Sequence, residues 1–126
     1  MFRQLTAFLA TLSLAGLTAP GTTLAADSAA GQVIFNANCS SCHGLSGKGD
    51  GPVGGALNPP PRDFTVADFA YDTDGDGKKG EDADLDSVIK NGAMKYGGSP
   101  LMAPWPTLSD AQVADVIAYI RSLETD

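Results

Sequence analysis

The sequence predicts one small all-α domain: about three helices joined by long loops that wrap around a bound group. Three observations carry that expectation. Apolar residues recur at helical spacing in three separate segments, and no stretch alternates with period two for long enough to make a sheet. The connections between those segments are rich in Gly and Pro, and longer than a compact domain normally holds without something to enclose.

The first segment, "MFRQLTAFLATLSLAGLTAPGTTLAADSAAG", has one basic residue, Arg3, then an apolar run from Leu5 to Leu17, then small residues. That order reads as a secretory signal peptide over residues 1–25, cleaved after Ala25. The run is shorter than the roughly 20 residues a bilayer span needs, and Pro20 and Gly21 follow it, so no membrane span is expected after cleavage. Residues 26–126 then form one domain, periplasmic or otherwise exported. A domain of this size buries only about 60–65% of its unfolded surface, so a disulfide, metal or buried cofactor is expected to supplement its core. The formal net charge of −7, one unit more negative without Arg3, excludes nucleic acid and anionic membranes as natural partners and favours a partner with a basic face.

In "SAAGQVIFNANC", Ser28 can cap a helix over about Ala29–Cys39 that carries Val33, Ile34 and Phe35. Residues 44–62 follow as an ordered loop, because Pro59, Pro60 and Pro61 in a row exclude both helix interior and central strand. "DADLDSVIKNGA" spaces Leu85, Val88 and Ile89 as a short second helix ending at Asn91-Gly92. "LSDAQVADVIAYIRSLETD" gives the third: Ser109 and Gln112 form a capping box, and Val113, Val116, Ile117, Ile120 and Leu123 form one apolar stripe.

Both cysteines and the only histidine fall within five residues, "CSSCH", Cys39 to His43. A thiol–disulfide exchange site would need a βαβ context that is missing. A zinc site would need a fourth ligand, here a carboxylate. Covalent attachment of haem c uses these residues as they stand: one helical turn sets two thiols at two vinyl groups, and the next residue turns its imidazole to the iron. No second His exists, so the sixth ligand falls to a thioether, Met94 in "NGAMKYGG" or Met102 in "SPLMAPWPTLSD". Met102 is favoured, because its extended, Pro-rich segment can reach the far haem face and hand over to the last helix, whereas Met94 reads as packing.

With these residues in view, the sequence resembles the class I monohaem c-type cytochromes over most of residues 26–126. "GQVIFNANCSSCHG" resembles their first helix and haem site, and "LMAPWPTLSDAQVADVIAYIRSL" their Met loop and final helix, with Ala103 inserted where the family commonly places Pro directly after Met. The resemblance implies that Gly31 and Phe35 of the first helix pack on Tyr119 of the last. It also implies that a backbone carbonyl at Pro59, Pro60 or Pro61 accepts the His43 Nδ1 proton. Arg62 is a candidate propionate contact, and Trp105 a pocket wall or core residue.

Two protein ligands leave the iron no open position, so the expected role is a soluble one-electron carrier, not an enzyme, and a monomer that meets redox partner proteins. Rival readings are a haem enzyme or gas sensor with a displaceable sixth ligand, and a dedicated electron-transfer subunit of a dehydrogenase or oxidase. One stretch, "YDTDGDGKKGEDADLD", has no place in the resemblance. Asp72, Asp74, Asp76 and Gly77 match the first half of a calcium loop, but the twelfth position is Ala83, beside Glu81, Asp82 and Asp84. Asp72, Asp74 and Asp76 are the candidate Ca²⁺ ligands, and a solvated acidic insertion is the alternative.

Overall fold

The computed structural model describes residue 21 and residues 24–125. The signal-peptide expectation for residues 1–25 lies almost wholly outside them. Among the described residues there are four α-helices and no strand: α1 Ser28–Asn38, α2 Ser40–His43, α3 Asp82–Asn91 and α4 Asp110–Leu123. Three 3₁₀ turns, Gly54–Ala56, Phe64–Val66 and Ala93–Tyr96, punctuate the loops. No helix of the described residues is long and apolar enough to cross a membrane.

Two boundaries of the first helix differ from expectation. Asp27, not Ser28, is the N-cap, because its carboxylate accepts from the amides of Ala29 and Ala30 at 2.9 and 3.2 Å and leaves Ser28 inside the first turn. The helix also stops at Asn38. Cys39 sits at φ −116°, and its carbonyl starts the separate turn α2 by accepting from His43 N at 2.9 Å. The expected three helices therefore become four, with the CSSCH segment as its own element.

Helices α1 and α4 cross at Gly31, where an added Cβ would collide with the backbone carbonyl of Asp115. The approach lets Phe35, fully buried, meet Tyr119 edge-on at 5.1 Å and Phe64 at 6.2 Å. Val113, Val116, Ile117 and Ile120 of α4 and Leu85 and Ile89 of α3 complete the core. The packing inferred for Gly31, Phe35 and Tyr119 is thus present. The capping box predicted for α4 forms between Ser109 and Gln112. Helix α3 has one too, between Glu81 and Asp84, and ends on Gly92.

Both ends of the domain are fastened. The Asp27 amide donates to Asp115 Oδ1 at 2.7 Å, and Thr125 N donates to the Thr65 carbonyl at 2.8 Å. Arg121 near the end of α4 joins Asp82 Oδ1 and Glu124 Oε1, each at 2.9 Å, donates to the Gly80 carbonyl, and lies 5.0 Å over the Phe69 ring. It ties α4 to the acidic loop and to the wall of the cavity described next.

Candidate functional site

The helices and loops of the described residues line a large cavity of about 730 Å³. Cys39, Cys42 and His43 line it from α2, Leu85 and Ile89 from α3, and Val116 and Ile120 from α4. Neither thiol is in a disulfide. Burial, then the neighbouring Cys42, pushes the Cys39 thiol up to about 11, so the sulfur keeps its proton.

The Gly-rich loop after α2 exists to close that helix from beneath. Amides of Gly49, Gly51 and Val53 donate to the carbonyls of His43, Cys42 and Ser41 at 2.8, 3.1 and 2.9 Å, satisfying acceptors that a four-residue helix leaves free. A Cβ on Gly51 would meet the carbonyls of Ser40 and Ser41, and one on Gly54 that of Cys42. Only glycine fits at these two positions.

His43 Nδ1 lies 3.2 Å from the carbonyl oxygen of Arg62. A carbonyl can only accept, so Nδ1 carries the proton and the Nε2 lone pair is left for a metal. The acceptor differs from the expected Pro59, Pro60 or Pro61. The Pro61 carbonyl is turned against Gly49, and the next carbonyl, that of Arg62, faces the ring. Burial lowers the His43 pKa and the Arg62 bond opposes that shift, and a neutral imidazole is the form that binds a metal. Phe64 stacks on the imidazole at 4.5 Å, with the planes 19° apart. Nothing in the sequence around Phe64 marks it for this place. Its amide donates to Gly47 at 2.7 Å, a pairing between loops that no local pattern announces.

Met102 lines the cavity, while Met94 is 67% exposed and does not. The Met102 segment is fixed to the end of α3: Ala93 N donates to the Met102 carbonyl at 3.0 Å, and Trp105 N to the Ile89 carbonyl at 2.9 Å. Trp105 lines the cavity and packs on the core, as expected. Arg62 reaches the cavity edge, with its guanidinium 3.4 Å from Asp68 in an exposed pair.

The acidic loop is arranged differently from the calcium-loop expectation. Carboxylate oxygens of Asp72, Asp74 and Asp84 lie within 4.8 Å of one another, whereas Asp76 pairs with Lys78 Nζ at 3.4 Å. Asp84 replaces Asp76 because the loop folds back on the start of α3. Asp72 accepts from Gly75 N and Gly77 N at 2.7 and 2.8 Å. Asp84, 2% exposed, accepts from Thr73 N at 2.6 Å, Thr73 Oγ1 at 2.9 Å and Glu81 N at 3.0 Å. Its carboxyl is held below the usual carboxylate value, first by the Thr73 amide and against its burial, with the Thr73 hydroxyl and the amides of Glu81 and Gly80 adding to the shift.

A covalent haem fits this donor set: two unpaired thiols, an oriented neutral imidazole and a thioether on an apolar cavity whose volume lies within the roughly 300–1,000 Å³ of small-molecule sites. A family model described as Cytochrome c matches residues 28–124. The chain belongs to the cytochrome c family. It is 32% identical over 103 residues to cytochrome c-554(547) of Halothiobacillus neapolitanus, an alignment that covers 79% of this chain and all of that protein. It also resembles a chain of the reducing HAO-like protein complex of Kuenenia stuttgartiensis, with TM-score 0.63 and 29% identity, over 75% of this chain and 41% of that one. As a cytochrome c it is an electron-transfer protein and not an enzyme, and the family implies covalent haem c.

Proposed function

We propose that this protein is a soluble, exported one-electron carrier with a single haem c, held by thioethers from Cys39 and Cys42 and ligated by His43 and Met102. One arrangement carries the proposal: the two thiols and the Arg62-oriented imidazole share a cavity with Met102. The thiols would hold the group by adding S–H across its vinyl bonds, and the bound iron supplies the Fe(III)/Fe(II) couple. Everything else is the work of this chain. The Arg62 carbonyl fixes the imidazole, Phe64 keeps its plane, and the apolar walls from α3 and α4 exclude water.

The docking surface is the open edge between the Gly-rich loop and the Met102 segment, met by a redox partner with a basic face in a small, transient contact. Export follows from the leader reading, with residues 26–126 as the mature monomer. A haem stain of a denaturing gel, an optical spectrum and a redox titration test the proposal. Expected are colour retained on the denatured band, a low-spin spectrum with the ferric His–Met charge-transfer band, and a one-electron wave. Colour lost on denaturation sinks covalent attachment. Absence of the band would favour a displaceable sixth ligand, as in a gas sensor or haem enzyme. An intact mass beginning at Ala26 tests the cleavage.

The Kuenenia likeness favours a second reading, in which the same electron transfer occurs in a bound subunit. Gel filtration of material from the native host separates the two: a carrier elutes near its own mass, and a subunit elutes with its partner.

A further inference from the structure

Lys48, Arg62, Asp63 and Asp84 are the charged side chains that line the cavity, and of these only Asp84, carried by α3, is buried. Asp84 lines the cavity beside Leu85, Val88 and Ile89, and is 2% exposed. Its hydrogen-bond donors are the Thr73 amide and hydroxyl and the Glu81 amide, all neutral, so they hold the carboxylate without cancelling its charge. None of the ion pairs among the described residues includes it. Asp72 and Asp74 place further carboxylate oxygens within 4.8 Å, which adds to the negative field.

Resting on the haem reading above, we propose that Asp84 sets the reduction potential of the iron: its fixed negative charge in the cavity wall favours Fe(III) over Fe(II) and so lowers the potential. One electron from a partner turns Fe(III) into Fe(II) and removes one unit of positive charge from the site. The attraction between that unit and the carboxylate is lost on reduction, and in a water-poor interior such an attraction is far stronger than in solvent. Asp84 also belongs to the capping box of α3, so its redox role needs a readout that a structural role would not move.

The test is a spectroelectrochemical titration of purified holoprotein at neutral pH in a chelating buffer, comparing wild type, Asp84→Asn and Thr73→Val, with thermal melts of each. Asp84→Asn removes the charge. Thr73→Val disturbs the same packing and keeps it. Asp84→Asn should raise the ratio of reduced to oxidised protein at a fixed ambient potential at least about threefold, equivalent to about 28 mV at roughly 59 mV per tenfold for one electron. Thr73→Val should lower the melting temperature without raising the potential. An unchanged potential in Asp84→Asn overturns the proposal, and so does a similar rise in both variants. Should Asp84→Asn fail to accumulate as holoprotein, Asp84→Ser takes its place, and failure of both assigns Asp84 to folding and overturns the redox role. A wild type without covalent haem or a one-electron wave would instead overturn the reading on which this rests.

Discussion

Replacing Gly31 with Ala sets two effects of opposite sign against each other. Gly in a helix interior costs roughly 0.5–1 kcal/mol relative to Ala, so propensity alone predicts a more stable protein. The crossing predicts the reverse. The new Cβ would fall on the Asp115 carbonyl, far inside the 3.0 Å that real Cβ contacts keep, and backbone in mid-helix cannot swing aside. Helix α4 must retreat from α1, along an interface that contains Phe35, Val113 and Val116, 0%, 0% and 1% exposed. Burial of each such side chain is worth about 1.5–3 kcal/mol, and a gap of about 0.5–1 Å forfeits a quarter to a half of the contact energy. Three side chains then lose roughly 1–4.5 kcal/mol, and after the propensity gain the net loss at mid-range is about 2 kcal/mol. For a domain near 100 residues that is a fall of about 8–16 °C in melting temperature. Circular dichroism melts of the holoprotein read it, with Gly55→Ala as control, since nothing lies within 4 Å of that site. A Gly31→Ala variant that melts at or above wild type would refute the reasoning.

Met102→Ala should open the sixth position and abolish the charge-transfer band, while Met94→Ala, at an exposed site off the cavity, should leave the spectrum unchanged; the opposite pattern moves the ligand to Met94. Acid melts should single out Asp84. Its folded pKa lies below the ordinary 3.8, so its stabilisation is complete above that value and is lost as pH falls through the folded pKa. The deficit of Asp84→Asn relative to wild type should therefore shrink below about pH 4, and parallel curves would count against it. Millimolar Ca²⁺ at constant ionic strength should leave the melting temperature where chelator and Mg²⁺ leave it, because the Asp72 and Asp84 oxygens already accept from the loop's own amides and from Thr73. A rise specific to Ca²⁺ would show those oxygens going to a cation instead.

What was legible in the sequence was local. Helix α4 carries its own start signal at Ser109 and Gln112 and its own stripe, so its limits follow from a dozen residues. The CSSCH segment is equally self-contained, and the cavity forms around it. The start of α1 was misplaced by one residue because Asp27 and Ser28 are both good caps, and the carboxylate is the one that reaches two amides. Contacts between loops were not legible. The Arg62 carbonyl, the Phe64 ring and the Asp84 carboxylate owe their roles to chain segments brought together only in three dimensions. Asp84 in particular sat within a run of acids where spacing suggested Asp76.

The junction of α1 with α4 also fixes an order of events. Asp27 and Asp115, joined by a hydrogen bond, are 88 positions apart, so although Phe64 can reach Phe35 earlier, its packing on Tyr119 waits until α4 has been made. Local turns can form early, but the pairing that defines the domain is among its longest-range contacts and must wait for the last helix. During that interval the two thiols of α2 stand open on an unfinished chain. A polypeptide whose two helices meet last stays threadable until then, and the attachment residues proposed above, Cys39 and Cys42, stay reachable until α4 docks.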